Sequence, residues 1–158
     1  MKRNILLVEP NYKNKFPPIG LMKLATYFKS LGDHVVFYKG DIKDFILERT
    51  VNKCIAKLHQ VAPSVDWKSK HDNIKSFIKT RKASHLVAIG IDGDAEYSGL
   101  AHDWLNHYKD YIWKKYYLRE EEREWDWIGV TTLFTFYFDI TVKTVNQVKD
   151  LIKSNGRI

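Results

Sequence analysis

Cysteine occurs once in these 158 residues, at Cys54. A lone cysteine excludes an internal disulfide, and it excludes a cysteine cluster for zinc or iron–sulfur within the chain. No apolar run approaches the roughly 20 residues of a membrane-spanning helix. The first apolar run is followed by no glycine-rich loop, since Gly20 stands alone; neither the P-loop nor the dinucleotide fingerprint is met. There is no Gly-x-Ser-x-Gly elbow and no Ser-His-Asp arrangement. Met1-Lys2-Arg3-Asn4 runs straight into apolar sequence, which argues against a signal peptide and makes cytoplasmic the expected location. No internal repeat or low-complexity tract is visible.

What is present is the make-up of a folded domain. Hydrophobic residues are 44% of the chain and aromatics 14%, unlike a disordered sequence. The length is enough for one domain with a sizeable core. A formal charge of +7 permits acidic partners such as phosphates or nucleic acid without requiring them.

The organising stretch is residues 4–38. Ile5-Leu6-Leu7-Val8 reads as a strand buried on both faces, as in a parallel sheet. Residues 9–18 form a long polar and aromatic loop that ends in Pro17-Pro18. Ile19, Met22, Ala25 and Phe28 recur at steps of three and predict a helix, with Pro18 suited to its first turn and Gly32 to its C′ position. His34-Val35-Val36-Phe37-Tyr38 predicts a second strand, reached by a right-handed crossover.

Residues 41–61 read as a helix with Ile42, Phe45, Ile46, Val51, Ile55 and Leu58 on one face and Cys54 beside it. Cys54 reads there as a small core residue. A second amphipathic segment, 67–81, has Ile74, Phe77 and Ile78 on its apolar face. Residues 86–91 fit a short strand or a buried helix equally, and 100–118 read as an aromatic-rich helix. Residues 125–132 predict a third core strand. A helix over 139–155 follows, with Val142, Val145, Val148, Leu151 and Ile152 as its face and Gly156 as its C′ residue. A fourth strand would begin only at Arg157. The expectation is a single α/β domain: a thin, incomplete parallel sheet with a core at 1–40 and 125–158 and a largely helical insertion at about 41–124. A sheet of three core strands is narrower than most, which suggests a piece of a longer protein or a homodimer that pairs at an open edge.

Lys15-Phe16-Pro17-Pro18-Ile19-Gly20-Leu21-Met22, the following Lys23 to Tyr27, and Gly32-Asp33-His34-Val35-Val36-Phe37-Tyr38-Lys39-Gly40 together resemble the opening of radical S-adenosylmethionine proteins. Trp127-Ile128-Gly129-Val130-Thr131-Thr132 and the four residues after it look like that family's later strand and loop. The resemblance implies an N-terminal cobalamin-binding-like, three-layer Rossmann-like (flavodoxin-like) domain. It implies a non-catalytic module that positions substrate or cofactor for a catalytic domain of the same polypeptide. The family's Cys-x3-Cys-x2-Cys motif is absent, so iron–sulfur cluster and S-adenosylmethionine belong to that other domain. The family's cobalamin-binding members use an Asp-x-His-x-x-Gly motif, whereas residues 9–18 contain no histidine. The axial-histidine mode is therefore unsupported.

In open parallel sheets ligands bind outside the carboxyl ends of the strands. The expected site accordingly brings Asn11, Tyr12, Phe16, Pro18 and Gly20 from the first loop to Thr132, Phe134, Thr135 and Phe136 from the other. Amides and hydroxyls would hold a polar group, and aromatics would cover a flat ligand or pack on a partner domain. The alternative is a stand-alone interaction or RNA-binding domain, using the basic face Lys68, Lys70, Lys75, Lys79, Arg81 and Lys82. Asp103 and His107 have i,i+4 spacing and read as a surface pair, whereas His102 and His107, five apart, share no helix face. Asp92, Asp94, Glu96 and Asp103 fall at calcium-loop positions, but Tyr97 fills the glycine slot, and no metal site is assigned.

Overall fold

The computed structural model describes residues 2–13, 16–82, 84–87, 103, 123–132 and 137–158. The chain divides into two compact units, Met1–Phe45 with Glu121–Ile158, and Ile46–Glu120. The strands are β1 (Asn4–Glu9), β2 (His34–Lys39), β3 (Trp125–Val130) and β4 (Ile152–Arg157). The helices are α1 (Ile19–Ser30), α2 (Ile42–Val61), α3 (His71–Thr80), α4 (Ser84–Val87) and α5 (Phe138–Val148). His102, His107, Asp92, Asp94, Glu96 and the aromatic stretch 104–118 lie outside the described residues, as do residues 88–91.

The first unit is an α/β fold on an all-parallel, Rossmann-like sheet in the order β2-β1-β3-β4. β1 pairs with β2 from Asn4↔His34 to Glu9↔Lys39 and with β3 from Ile5↔Trp127 to Val8↔Val130. Its residues 5–9 are all buried. That is why Ile5-Leu6-Leu7-Val8 shows no polar alternation: neither face meets water. Ile5 and Leu7 pack under Leu21, Ala25 and Phe28 of α1. On the other face Tyr38 stacks on Phe45 at 4.9 Å, and Phe45 reaches Trp125 at 6.3 Å.

Two helix faces are rotated from those the apolar spacing predicts. In α1 the buried positions are Leu21 and Phe28, while Ile19 and Met22 are exposed. In α5 the buried positions are Thr141, Thr144 and Val148, and Val142 is exposed. Threonine is invisible to an apolar count. Here Thr144 donates its hydroxyl to Ile140 O at 2.8 Å, and the Thr141 hydroxyl lies 3.0 Å from Tyr137 O, each four residues back. With the hydroxyl satisfied, the methyl can be buried.

Among the described residues the sheet has four strands, not three with a stub. Helix α5 ends at Val148, a 3-10 turn covers Lys149–Leu151, and β4 starts at Ile152. Pairing with β3 overrides helical continuation. Trp125 pairs with Ile152 and Trp127 with Arg157, so Asp126 alone faces residues 153–156 and β4 bulges. Gly156 sits in that bulge, not at a helix end. A Cβ there would stand 3.0 Å from the carbonyl oxygens of both Trp125 and Asp126.

Two carboxylates clasp the amino end of the sheet. Helix α1 closes with Asp33 N donating to Phe28 O and Gly32 N to Lys29 O (3.1 and 2.9 Å), Gly32 having φ +82°; this is the Schellman closure that favours glycine. Asp33 then accepts from the Arg3 backbone N at 3.0 Å and from its guanidinium at 2.5 Å. On the other side Asp126 accepts from Asn4 N and Lys153 Nζ, both at 2.8 Å. The Arg3 guanidinium holds the Asp33 carboxyl below the usual range, and the Asn4 amide followed by Lys153 does the same for Asp126.

The second unit buries Leu47, Val51, Cys54 and Leu58 of α2 against Trp67 and against Ile74, Phe77 and Ile78 of α3. Trp67 Nε1 donates to Ala62 O at 2.9 Å, which satisfies the one polar atom of a buried indole. Burial pushes the Cys54 thiol up to about 12, so it stays protonated and inert. Among the described residues no helix is long and apolar enough to cross a membrane.

The depressed carboxyls of Asp33 and Asp126 contribute to an acid limit. A carboxyl whose pKa falls on folding adds stability above its unfolded value, about 3.9 for Asp, and that stability is lost as pH falls through the folded value. Thermal scans from pH 6 down to pH 2 should show the melting temperature dropping below about pH 4. The Asp33→Asn, Asp126→Asn double variant starts lower and loses less over the same range.

Candidate functional site

Connections leave β1 and β3 in opposite directions, β1 toward β2 and β3 toward β4. Their carboxyl ends are therefore the topological switch point, where open α/β sheets bind ligands. Tyr12 occupies it. Its amide donates to Pro10 O at 2.6 Å, which turns the loop back over the sheet. The side chain is buried, and its hydroxyl lies 2.9 Å from Thr131 O and 2.6 Å from Thr141 Oγ1. One phenolic proton serves one acceptor. The carbonyl can only accept, so Tyr12 donates to Thr131 O and Thr141 donates either to Tyr12 or to Tyr137 O. The Tyr12 ring also packs on Tyr137 at 4.9 Å. One side chain thus ties the loop after β1 to the end of β3 and to α5.

Two polar features flank this plug. Glu9, the last residue of β1, is completely buried, and neither carboxylate oxygen has a hydrogen-bond partner among the described residues. Lys39, opposite it on β2, brings Nζ to 3.2 Å of Oε1. This is an ion pair with poor hydrogen-bond geometry. The second feature is a cavity of about 140 Å³ lined by Asn11, Gly40, Asp41, Ile140, Lys143, Thr144 and Gln147. Lys143 Nζ meets Asp41 Oδ2 across it at 3.0 Å. Burial pulls the Asp41 carboxyl up, but the Lys43 amide and Lys143 outweigh it and hold Asp41 below the usual carboxylate range.

The residues expected from sequence are spread over different environments. Asn11 lines the cavity. Tyr12 fills the switch point instead of opening it. Phe16 is exposed, Pro18 is half-buried as the N-cap residue of α1, and Gly20 is exposed with open space around its Cα. Thr132 is exposed just past β3. Phe134, Thr135 and Phe136 lie outside the described residues. The sequence reading passed over Glu9, Lys39, Asp41, Lys143, Thr144 and Gln147. Glu9 carried a signal: a carboxylate ending a strand that is otherwise buried on both faces.

Among the described residues, no group of three or more His, Cys, Asp or Glu side chains could hold a metal ion. The cavity is smaller than the roughly 300–1,000 Å³ of pockets for drug-sized ligands. Comparison with protein-family models, with curated proteins and with solved structures finds no match to this chain.

Two variants test the local energetics. Tyr12→Phe should cost about 1–3 kcal/mol, the penalty for leaving a buried acceptor unpaired, read as a lower urea midpoint at unchanged slope. Lys39→Met should cost a similar amount, about 1–3 kcal/mol, because it strips the counter-charge from a buried carboxylate whose partner was itself partly solvated. Adding Glu9→Gln to Lys39→Met should recover part of that loss.

Proposed function

We propose that this chain is a non-catalytic, Rossmann-like N-terminal module of a radical S-adenosylmethionine protein. In this reading the module positions substrate or cofactor for the neighbouring catalytic domain, and the iron–sulfur cluster and S-adenosylmethionine reside in that domain. The observation that carries the proposal is the Tyr12 plug. A side chain held by Thr131, Thr141 and Tyr137 converts the usual ligand crevice into a packed joint. A joint of this kind suits a scaffold whose loops meet another surface. The Pro17-Pro18-Ile19-Gly20-Leu21 entry to α1, set in a strand-helix-strand unit, supports the family assignment. Cobalamin stays a possible cofactor of the module, without an axial histidine from residues 9–18.

The RNA-binding alternative draws on α3, whose Lys75 is engaged. Glu48 accepts from Lys75 Nζ at 2.9 Å and meets His71 Nε2 at 2.7 Å. Lys75 and then His71 hold the Glu48 carboxyl below its usual range. That pairing offsets part of the basic face within the unit, and the module reading is preferred.

Reading the gene beyond codon 158 tests the proposal. An open frame that reaches a Cys-x3-Cys-x2-Cys motif is expected. A stop codon directly after Ile158, with no such protein binding the chain, defeats it. Titration with hydroxocobalamin tests the cofactor: a saturable shift of the corrinoid absorbance bands assigns cobalamin to the module, and unchanged bands remove it.

A further inference from the structure

Helix α1 buries Leu21 and Phe28 on the sheet and turns a second apolar set outward. Ile19, Met22, Tyr27 and Leu31 are each 51–62% exposed. Ile19, Lys23, Tyr27 and Leu31 are spaced four apart and form one ridge on the helix surface. The two hydroxyls on the same outward face do not interrupt its apolar character. Thr26 donates to Met22 O at 3.1 Å and Ser30 to Tyr27 O at 2.7 Å, so both are satisfied by the helix itself. Exposed apolar groups concentrated in this way mark an interaction surface.

The charge of the surface narrows what covers it. Among the described residues from 10 to 32, Lys13, Lys23 and Lys29 carry charge and there is no aspartate or glutamate. A second copy meeting this face with its own would bring ammonium groups together, which costs association free energy. A lipid bilayer would have to accept Lys23 within the ridge, flanked by Ile19 and Tyr27, where an interfacial helix keeps its face apolar and its cations at the border. Ile19, Met22 and Leu31 offer no stacking surface to a nucleic acid. An apolar protein surface with carboxylates, one of them opposite Lys23, satisfies every group on the ridge.

We propose that the outward face of α1 is a docking surface for a protein partner with an apolar centre and an acidic rim, and that a carboxylate of that partner pairs with Lys23. Taking the occupant to be a protein rests on the module reading above; the ridge and its charge do not. The partner is the catalytic domain of the module reading.

The test incorporates a photo-crosslinking phenylalanine at Met22 or at Tyr27 in the source cells and identifies adducts by mass spectrometry. The expected result is one recurrent protein, cross-linked through a peptide bearing Asp or Glu. Lys23→Glu should lower the adduct yield at least tenfold, and Lys23→Met should lower it less. The folded state of each variant is checked by its melting temperature, which an exposed position should leave nearly unchanged. Carbodiimide treatment should then join the Lys23 amine to a carboxylate of the same partner. An adduct with a second copy of this chain overturns the proposal. So does a yield that Lys23→Glu leaves unchanged, or binding to phosphatidylglycerol vesicles that Lys23→Met strengthens. A partner that is acidic but is no radical S-adenosylmethionine enzyme keeps the docking surface and removes the module reading.

Discussion

The first unit depends on burying β1 with hydrogen bonds on both edges and side chains on both faces. Each of Ile5, Leu6, Leu7 and Val8 is buried, and full burial of such a side chain contributes on the order of 1.5–3 kcal/mol. The register that achieves this leaves little freedom to slide, since a one-residue slip would turn each side chain to the other face. Polar groups at both strand ends hold that register. Asp33 and Asp126 bind the backbone amides of Arg3 and Asn4 at the amino end. Glu9, Lys39 and Tyr12 mark the carboxyl end.

The two ends are built differently, and the difference bears on function. At the amino end both carboxylates are amply hydrogen-bonded and stitch neighbouring strands together. At the carboxyl end, a buried carboxylate has one partly exposed cation, and a tyrosine fills the crevice between diverging loops. Polar groups left under-satisfied at the carboxyl end of a parallel sheet are where stability is commonly given up. The Tyr12 joint offsets this by tying three segments together through one hydroxyl and one ring.

Much of the architecture was legible in residues 4–38, because local signals agreed there. A continuous apolar run, a proline-set helix entry, Gly32 at the helix end and a β-branched second strand all point to one strand-helix-strand unit. The candidate site was less legible. Tyr12 in a polar loop looks like a ligand contact until Thr131 and Thr141, more than a hundred residues away, are brought to its hydroxyl. Glu9 was visible as a charge ending an apolar strand, but its partner Lys39 follows only from parallel pairing. The face of α5 was misread because threonine can be buried once its hydroxyl bonds back to the helix.

The sequence by itself determined the class of fold, the buried central strand and the closure of α1, because each rests on short-range sterics and on a period read within a few residues. The tertiary structure alone decided that residues 152–157 leave the helix to pair with β3, that a Cβ at Gly156 would crowd Ile152 and the carbonyls of Trp125 and Asp126, and that Tyr12 closes the switch point. Those outcomes depend on which distant groups arrive opposite one another. Local propensities of about 1 kcal/mol or less per residue are weaker than a paired strand and a satisfied buried hydroxyl.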